Sequence, residues 1–167
     1  MNQVKPYISK EYINPLEVVI AESVAKNRSE GSREAGVVDQ KKFKEKSGFH
    51  IDRLGFLGEM ALAKCMNLMP DFSVGPQANG ADLVTHDGIR IDVKTTERPD
   101  GNLIVKPKEN PDVDYYFLVR WDERFLCATI VGWIKKEKLR QERYERVIRG
   151  QLCYFCPAKD LRKEMKK

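Results

Sequence analysis

The chain has 167 residues, 41% of them hydrophobic and 33% charged, with a formal net charge of +5. That length suits one domain with its own core and excludes an ordinary two-domain arrangement. Apolar runs such as Phe125 to Ile134 fall far short of the roughly 20 residues of a membrane span, and Met1 to Lys10 lacks an apolar signal core; a soluble, unexported protein without a membrane partner is expected.

In chain order, Asn14 to Lys26 carries Leu16, Val19, Ile20 and Val24 at helical spacing after an Asn-Pro that serves as cap and first turn. Asn27 to Gly48 is polar and glycine-containing, so a loop or mobile arm is predicted. Ile51 to Met69 places Leu54, Leu57, Ala61, Leu62, Cys65 and Leu68 on one helical face, with Asp52 as the predicted cap. After the turn-rich Gly75 to Gly80, the segments Ala81 to Thr85 and Ile89 to Thr95 flank Asp87-Gly88, the signature of a hairpin. Asn102 to Lys106, Tyr115 to Trp121 and Phe125 to Val131 read as further strands, with Asp122-Glu123 as a short turn, giving a mainly antiparallel central sheet. Trp133 to Arg149 reads as a basic helix, Leu152 to Cys156 as a last strand and Ala158 to Met165 as a closing helix.

Charge is unevenly spread. Trp133 to Lys167 holds 12 Lys/Arg against 5 Asp/Glu, so this end is +7 and the remainder about −2. A basic segment on a near-neutral body suits a polyanion such as nucleic acid, although a solvated helix face has the same composition. Of the four cysteines only Cys153 and Cys156 are close, and no second Cys or His pair completes a zinc site. His50 and His86 have no partner at ligand or triad spacing, so solvated histidines are expected. Neither a nucleophile elbow nor a P-loop is present, which removes serine hydrolases and P-loop ATPases.

The informative constellation is Glu59 in the second helix, Asp82 in the first hairpin strand, and Asp92-Val93-Lys94 in the second. Asp92 and Lys94, two apart on a strand, share one face. Asp82 and Asp92 lie across the hairpin from each other. Unit charges 4 Å apart repel by about 4 kcal/mol at an effective dielectric near 20, and one lysine offsets part of this. A divalent cation reverses the sign of the cluster, and oxygen ligands are those that Mg²⁺ prefers. The bland alternative is three acids solvated and far apart.

Gly80-Ala81-Asp82-Leu83-Val84 and Asp92-Val93-Lys94, with nine residues between the two aspartates, resemble the core motif of the PD-(D/E)xK nuclease superfamily. Gly55-Phe56-Leu57-Gly58-Glu59 is similar to the G-x-x-G-E helix that supplies an extra acid in many members, including archaeal-type Holliday junction resolvases and phage endonucleases. The similarity spans about Leu54 to Thr96. Beyond it, Tyr115 to Val119, Gly132 to Ile134 and Tyr154 to Leu161 resemble small phage or bacterial members. Ala81 stands where the family often has Pro, a position that holds no ligand.

The resemblance implies a single α/β domain of restriction-endonuclease-like fold, with a central mixed, largely antiparallel sheet flanked by helices. Residues 1–50 form an N-terminal helix and polar arm, 51–132 the catalytic core, and 133–167 the basic helix, last strand and closing helix. Together with the acid cluster, it implies a Mg²⁺-dependent DNA endonuclease, Mn²⁺ substituting, in the cytoplasm of a bacterial or phage-infected cell. Asp82, Asp92 and the Val93 carbonyl hold the cation, and Glu59 ligates directly or through water. The cation activates water, polarises the phosphoryl oxygen and stabilises the leaving 3′ oxygen. Lys94 either gives up its proton and serves as general base or stays charged beside the pentacovalent oxyanion.

Candidate nucleic-acid contacts are Gln77 and Asn79 before Asp82, Thr95 and Thr96 after Lys94, Lys106 and Lys108, and Lys135, Lys136, Arg140 and Arg143 on the basic segment. The DNA is duplex or branched, and the same chemistry admits RNA. A homodimer would supply the two cuts of duplex cleavage. The rival readings are a non-catalytic nucleic-acid-binding module on the same fold, and an interaction protein whose basic end meets an acidic partner.

Overall fold

The computed structural model describes residues 8–34, 48–73, 80–107 and 112–164. Its elements are β1 (Ser9–Tyr12), α1 (Pro15–Glu34), α2 (Gly48–Met66), β2 (Leu83–Val84), β3 (Arg90–Thr96), β4 (Leu103–Val105), β5 (Tyr115–Asp122), β6 (Cys127–Lys135), α3 (Lys136–Leu139), β7 (Glu145–Ile148) and β8 (Gln151–Cys156). The result is a mixed α/β domain with a five-stranded sheet, order β1-β6-β5-β3-β2, and a three-stranded sheet, order β4-β8-β7. Among the described residues no helix is long and apolar enough to cross a membrane.

Helix α1 begins with a reciprocal capping box. Asn14 Oδ1 accepts from the Glu17 N–H at 2.9 Å and Glu17 Oε2 accepts from the Asn14 N–H at 2.7 Å, with Pro15 at the first helical position. Asn14→Ala should cost about 1 kcal/mol of stability in urea unfolding, the usual loss of such a cap. The helix runs on to Glu34, through residues 27–34 that the sequence placed in a loop; residues 35–47 of that loop lie outside the described ones. Its inner face also differs from prediction. Val18, Ala21, Val24 and Ala25 are buried, whereas Leu16 and Val19 are 69% and 56% exposed. Val18, Ala21, Ala25 and Arg28 follow one helical stripe, the one that α1 turns toward the core.

Helix α2 begins at Gly48, so Asp52 is not its cap. It ends in a Schellman motif: Asn67 is left-handed at φ 56°, its N–H donates to the Lys64 carbonyl, and the Leu68 N–H donates to that of Ala63. Residues Phe56 to Ala63 are all buried, including Glu59. Arg53 ties the helix to its surroundings, donating to Glu22 of α1 at 3.0 Å and to Glu123 beyond β5 at 2.8 Å.

The predicted hairpin forms, with Leu83 opposite Ile91 and Val84 opposite Arg90. Its turn is closed by Gly88 donating to the Thr85 carbonyl, and Gly88 takes φ +84°, the left-handed residue that a three-residue hairpin loop requires. The central sheet is mixed and largely antiparallel, as expected, with one parallel and three antiparallel pairings, but it does not include every predicted strand. Strand β3 pairs with β5 in parallel, so the chain must cross over between them, and β4 in that crossover joins the second sheet instead.

One face of the large sheet packs Ile91, Val93, Phe117, Val119 and Ile130 against α1 and α2. The other packs Tyr116, Leu118, Val131 and Ile134 against Leu103, Val105, Leu139, Tyr144 and Cys156. The register of β6 with β5 shifts between Leu118 and Val119, a bulge that leaves Val131 unpaired and sends Ile130 to one face and Ile134, four residues on, to the other.

The basic helix predicted over Trp133 to Arg149 is replaced by the end of β6, the single turn α3, a 3₁₀ turn and β7. Two local causes are visible. Trp133 exchanges backbone hydrogen bonds with Arg162, which keeps it in extended pairing. Arg149 and Gly150 both have positive φ, 51° and 77°, the two-residue turn that folds β7 onto β8. The same Arg162 pairing ends the predicted closing helix after one 3₁₀ turn, Ala158–Asp160; residues 165–167 lie outside the described ones.

Candidate active site

The site lies at the edge of β3 where the short strand β2 ends. Asp82 lies one residue before β2, whose Leu83 pairs with Ile91, and it meets β3 at Ile91 and Val93, on either side of Asp92. Its backbone N–H donates to the Ile91 carbonyl at 2.9 Å, and its Oδ2 accepts from the Val93 N–H at 2.6 Å. In an extended strand a residue's N–H and C=O point to the same side, so the Val93 carbonyl opens on the edge that Asp82 occupies.

Asp92 is fully buried, and Lys94, on the same face, places Nζ 2.8 Å from Asp92 Oδ1 and 3.2 Å from Oδ2. The acid–base pairing expected from the Asp-x-Lys spacing is present. Tyr116, in register with Asp92 on β5, is buried as well. Burial pushes its hydroxyl pKa up, Asp92 adds to this, and Arg140 and Lys94 oppose it.

Glu59 reaches the site from α2. The close approach that delivers it depends on Gly58, where an added Cβ would collide with the side chain of Thr95 on β3. Thr95 is β-branched and cannot swing clear, so Gly58→Ala should cost about 1–3 kcal/mol in chemical denaturation, with a Thr95→Ala background recovering most of it.

The three acids act on one another electrostatically. Burial pushes the Glu59 carboxyl upward, Arg28 pulls it back, and Asp92 and Asp71 raise it further. Asp82 is pushed up to about 8, by burial first and then by Glu59 and Asp92, against the Val93 N–H and Lys94. The alternative of solvated acids is not met at Glu59 and Asp92, which are 7% and 0% exposed. Among the described residues, no group of three or more His, Cys, Asp and Glu side chains is gathered so as to hold a metal ion. The oxygen donors on this edge are the Asp82 and Asp92 carboxylates and the Val93 carbonyl, with Glu59 engaged by Arg28.

Arg28 is the residue that sequence reading missed. Its Nη1 lies 3.3 Å from Glu59 Oε2, and its Nη2 donates to the Asp71 carbonyl at 2.8 Å. The visible signal was its place on the Val18, Ala21, Ala25 stripe, obscured because that stretch read as a loop.

The expected nucleic-acid contacts scatter. Thr95 faces Gly58, and Thr96 covers Gly101 while accepting from the Arg98 N–H at 3.2 Å, so both take packing or turn positions. Lys106 follows β4 and is half-buried. Lys135 is exposed at the end of β6 with Nζ 5.7 Å from the Tyr115 ring centre, and Lys136 starts α3. Arg140 caps α3 and reaches the Pro107 carbonyl at 3.5 Å. Arg143 is exposed, stacked 4.5 Å from the Tyr144 ring centre. Lys135, Lys136, Arg140 and Arg143 are spread over the end of β6, α3 and the following 3₁₀ turn rather than on the single helix predicted. Gln77, Asn79 and Lys108 lie outside the described residues.

His50, expected to be solvated, instead has Nε2 3.1 Å from Glu97 Oε2. His86 is exposed at the hairpin turn. All four cysteines are free thiols, and burial pushes that of Cys156 up to about 11. No protein-family model and no curated protein matches this chain.

Proposed function

We propose that this protein is a Mg²⁺-dependent DNA endonuclease of the PD-(D/E)xK type on a restriction-endonuclease-like fold. The observation that carries the reading is the convergence of Asp82, Asp92 and Lys94 at one sheet edge, beside a buried Glu59, with burial holding the Asp82 carboxyl up to about 8. Folding carboxylates into such a place costs stability, and a site that recruits a cation explains the expense.

The donor set suits a hard divalent ion. Asp82, Asp92 and the Val93 carbonyl supply oxygen ligands only, the partial shell that Mg²⁺ typically completes with water. When bound, the ion would supply Lewis-acid polarisation of the phosphodiester, a water of lowered pKa and stabilisation of the leaving oxygen. Asp82 would give up its proton as it joins the ion. Lys94, released from Asp92, would direct its amine at the attacking water or the phosphoryl oxygens. Arg140, at the end of α3, would be one of the cations that meet a flanking phosphate.

The test is incubation of the purified chain with supercoiled plasmid, a short linear duplex and a four-way junction, each with Mg²⁺, Mn²⁺ or EDTA. Cutting that requires the ion supports the reading, and preference for the junction marks a resolvase. No cutting, with salt-sensitive binding retained, assigns a binding module instead.

A further inference from the structure

The Glu59–Arg28 pair bears on what Glu59 does in that site. Arg28 Nη1 lies 3.3 and 3.5 Å from the two Glu59 oxygens, Nη2 donates to the Asp71 carbonyl at 2.8 Å, and Nε donates to the Ser73 carbonyl at 3.4 Å. The guanidinium also sits 4.9 Å from the centre of the Phe56 ring. Both side chains are nearly buried, 15% and 9% exposed. A guanidinium held from three directions cannot follow a carboxylate that turns away, and parting a buried pair leaves two charges uncompensated. Asp82, in contrast, is held by the neutral Val93 N–H rather than by an arginine.

We infer that Arg28 is a positioning residue that keeps Glu59 in an internal ion pair and off the cation, leaving Asp82, Asp92 and the Val93 carbonyl as the protein ligands. The inference rests on the metal-dependent reading above. Glu59 then contributes no net charge to the site, because Arg28 cancels it, and cation affinity is set by the two aspartates. Loss of Arg28 alone frees a carboxylate beside the ion and strengthens binding. Loss of both members leaves the net charge, and hence the affinity, nearly as it was.

Mn²⁺ titration of the full chain, followed by the electron paramagnetic resonance of the free ion, separates these cases without any cleavage assay. Arg28→Met should tighten the Mn²⁺ Kd by about tenfold, Glu59→Gln should weaken it, and Arg28→Met/Glu59→Gln should return it to within about threefold of the parent. Asp92→Asn should abolish binding. Thermal melts show which variants fold; should Arg28→Met alone fail, the double variant, which carries no buried unpaired charge, decides the matter. A double variant as defective as Asp92→Asn would make Glu59 a ligand and overturn the inference while leaving the nuclease reading intact. A parent chain that binds no Mn²⁺ would overturn both.

Discussion

Asp92→Asn and Lys94→Ala should each reduce metal-dependent cleavage by roughly 10³-fold or more while leaving the chain folded. Asp92 is fully buried with Lys94 Nζ 2.8 Å away, so the two variants disturb the same contact from opposite ends. Asn at 92 keeps the shape but removes the negative charge that would hold the cation, and it leaves Lys94 without its counter-ion. Ala at 94 keeps the carboxylate and removes the amine. Mn²⁺ binding therefore divides the two: lost in Asp92→Asn, retained or tightened in Lys94→Ala, with plasmid nicking lost in both. Cleavage surviving in either variant would show that the chemistry lies elsewhere.

Asp82→Asn should abolish cleavage and at the same time stabilise the metal-free protein, an inversion expected where function, not folding, keeps a charge. The Asp82 carboxyl is pushed up to about 8 by burial and by Glu59 and Asp92, above its ordinary 3.8. A raised carboxyl binds its proton more tightly in the folded than in the unfolded chain. Its contribution is thus fully present below the unfolded value and is lost as pH rises through the interval up to about 8. The amide cannot ionise and still accepts from the Val93 N–H. The variant's advantage should accordingly widen by about 2–4 kcal/mol between pH 5.5 and pH 8, measured by urea unfolding in EDTA. Saturating Mg²⁺ should narrow it by stabilising only the parent. A gap that is flat with pH would mean that Asp82 is ionised throughout.

Both predictions concern residues legible before any coordinates. Two-residue spacing places Asp92 and Lys94 on one face of any strand, and the Asp-Gly turn brings the segment of Asp82 alongside that of Asp92. Helix α2 was legible for the same reason: its apolar residues recur at the helical period over many turns. The basic segment was misread because charge composition says nothing about backbone geometry. Lys135, Arg140 and Arg143 sit on different elements, since the Arg149-Gly150 turn and the Trp133–Arg162 pairing impose an extended course that no local period announces. Strand β1 was missed for a similar reason: Ser9–Tyr12 is short and polar, and it is a strand because β6 offers it hydrogen bonds.

By itself, then, the sequence determined the local pieces: the capped start of α1, the body of α2, the Asp-Gly hairpin that carries the two aspartates, and the Asp-x-Lys pair. These depend on contacts between residues near one another in the chain, where periodicity and turn chemistry act directly. Only the tertiary structure decided that β3 and β5 run parallel, that β4 leaves for a second sheet, that α1 turns a stripe of small residues inward, and that Arg28 closes on Glu59 from 31 positions away. Such choices depend on which surfaces pack without leaving a charge or a backbone group unsatisfied, a condition that belongs to the whole fold.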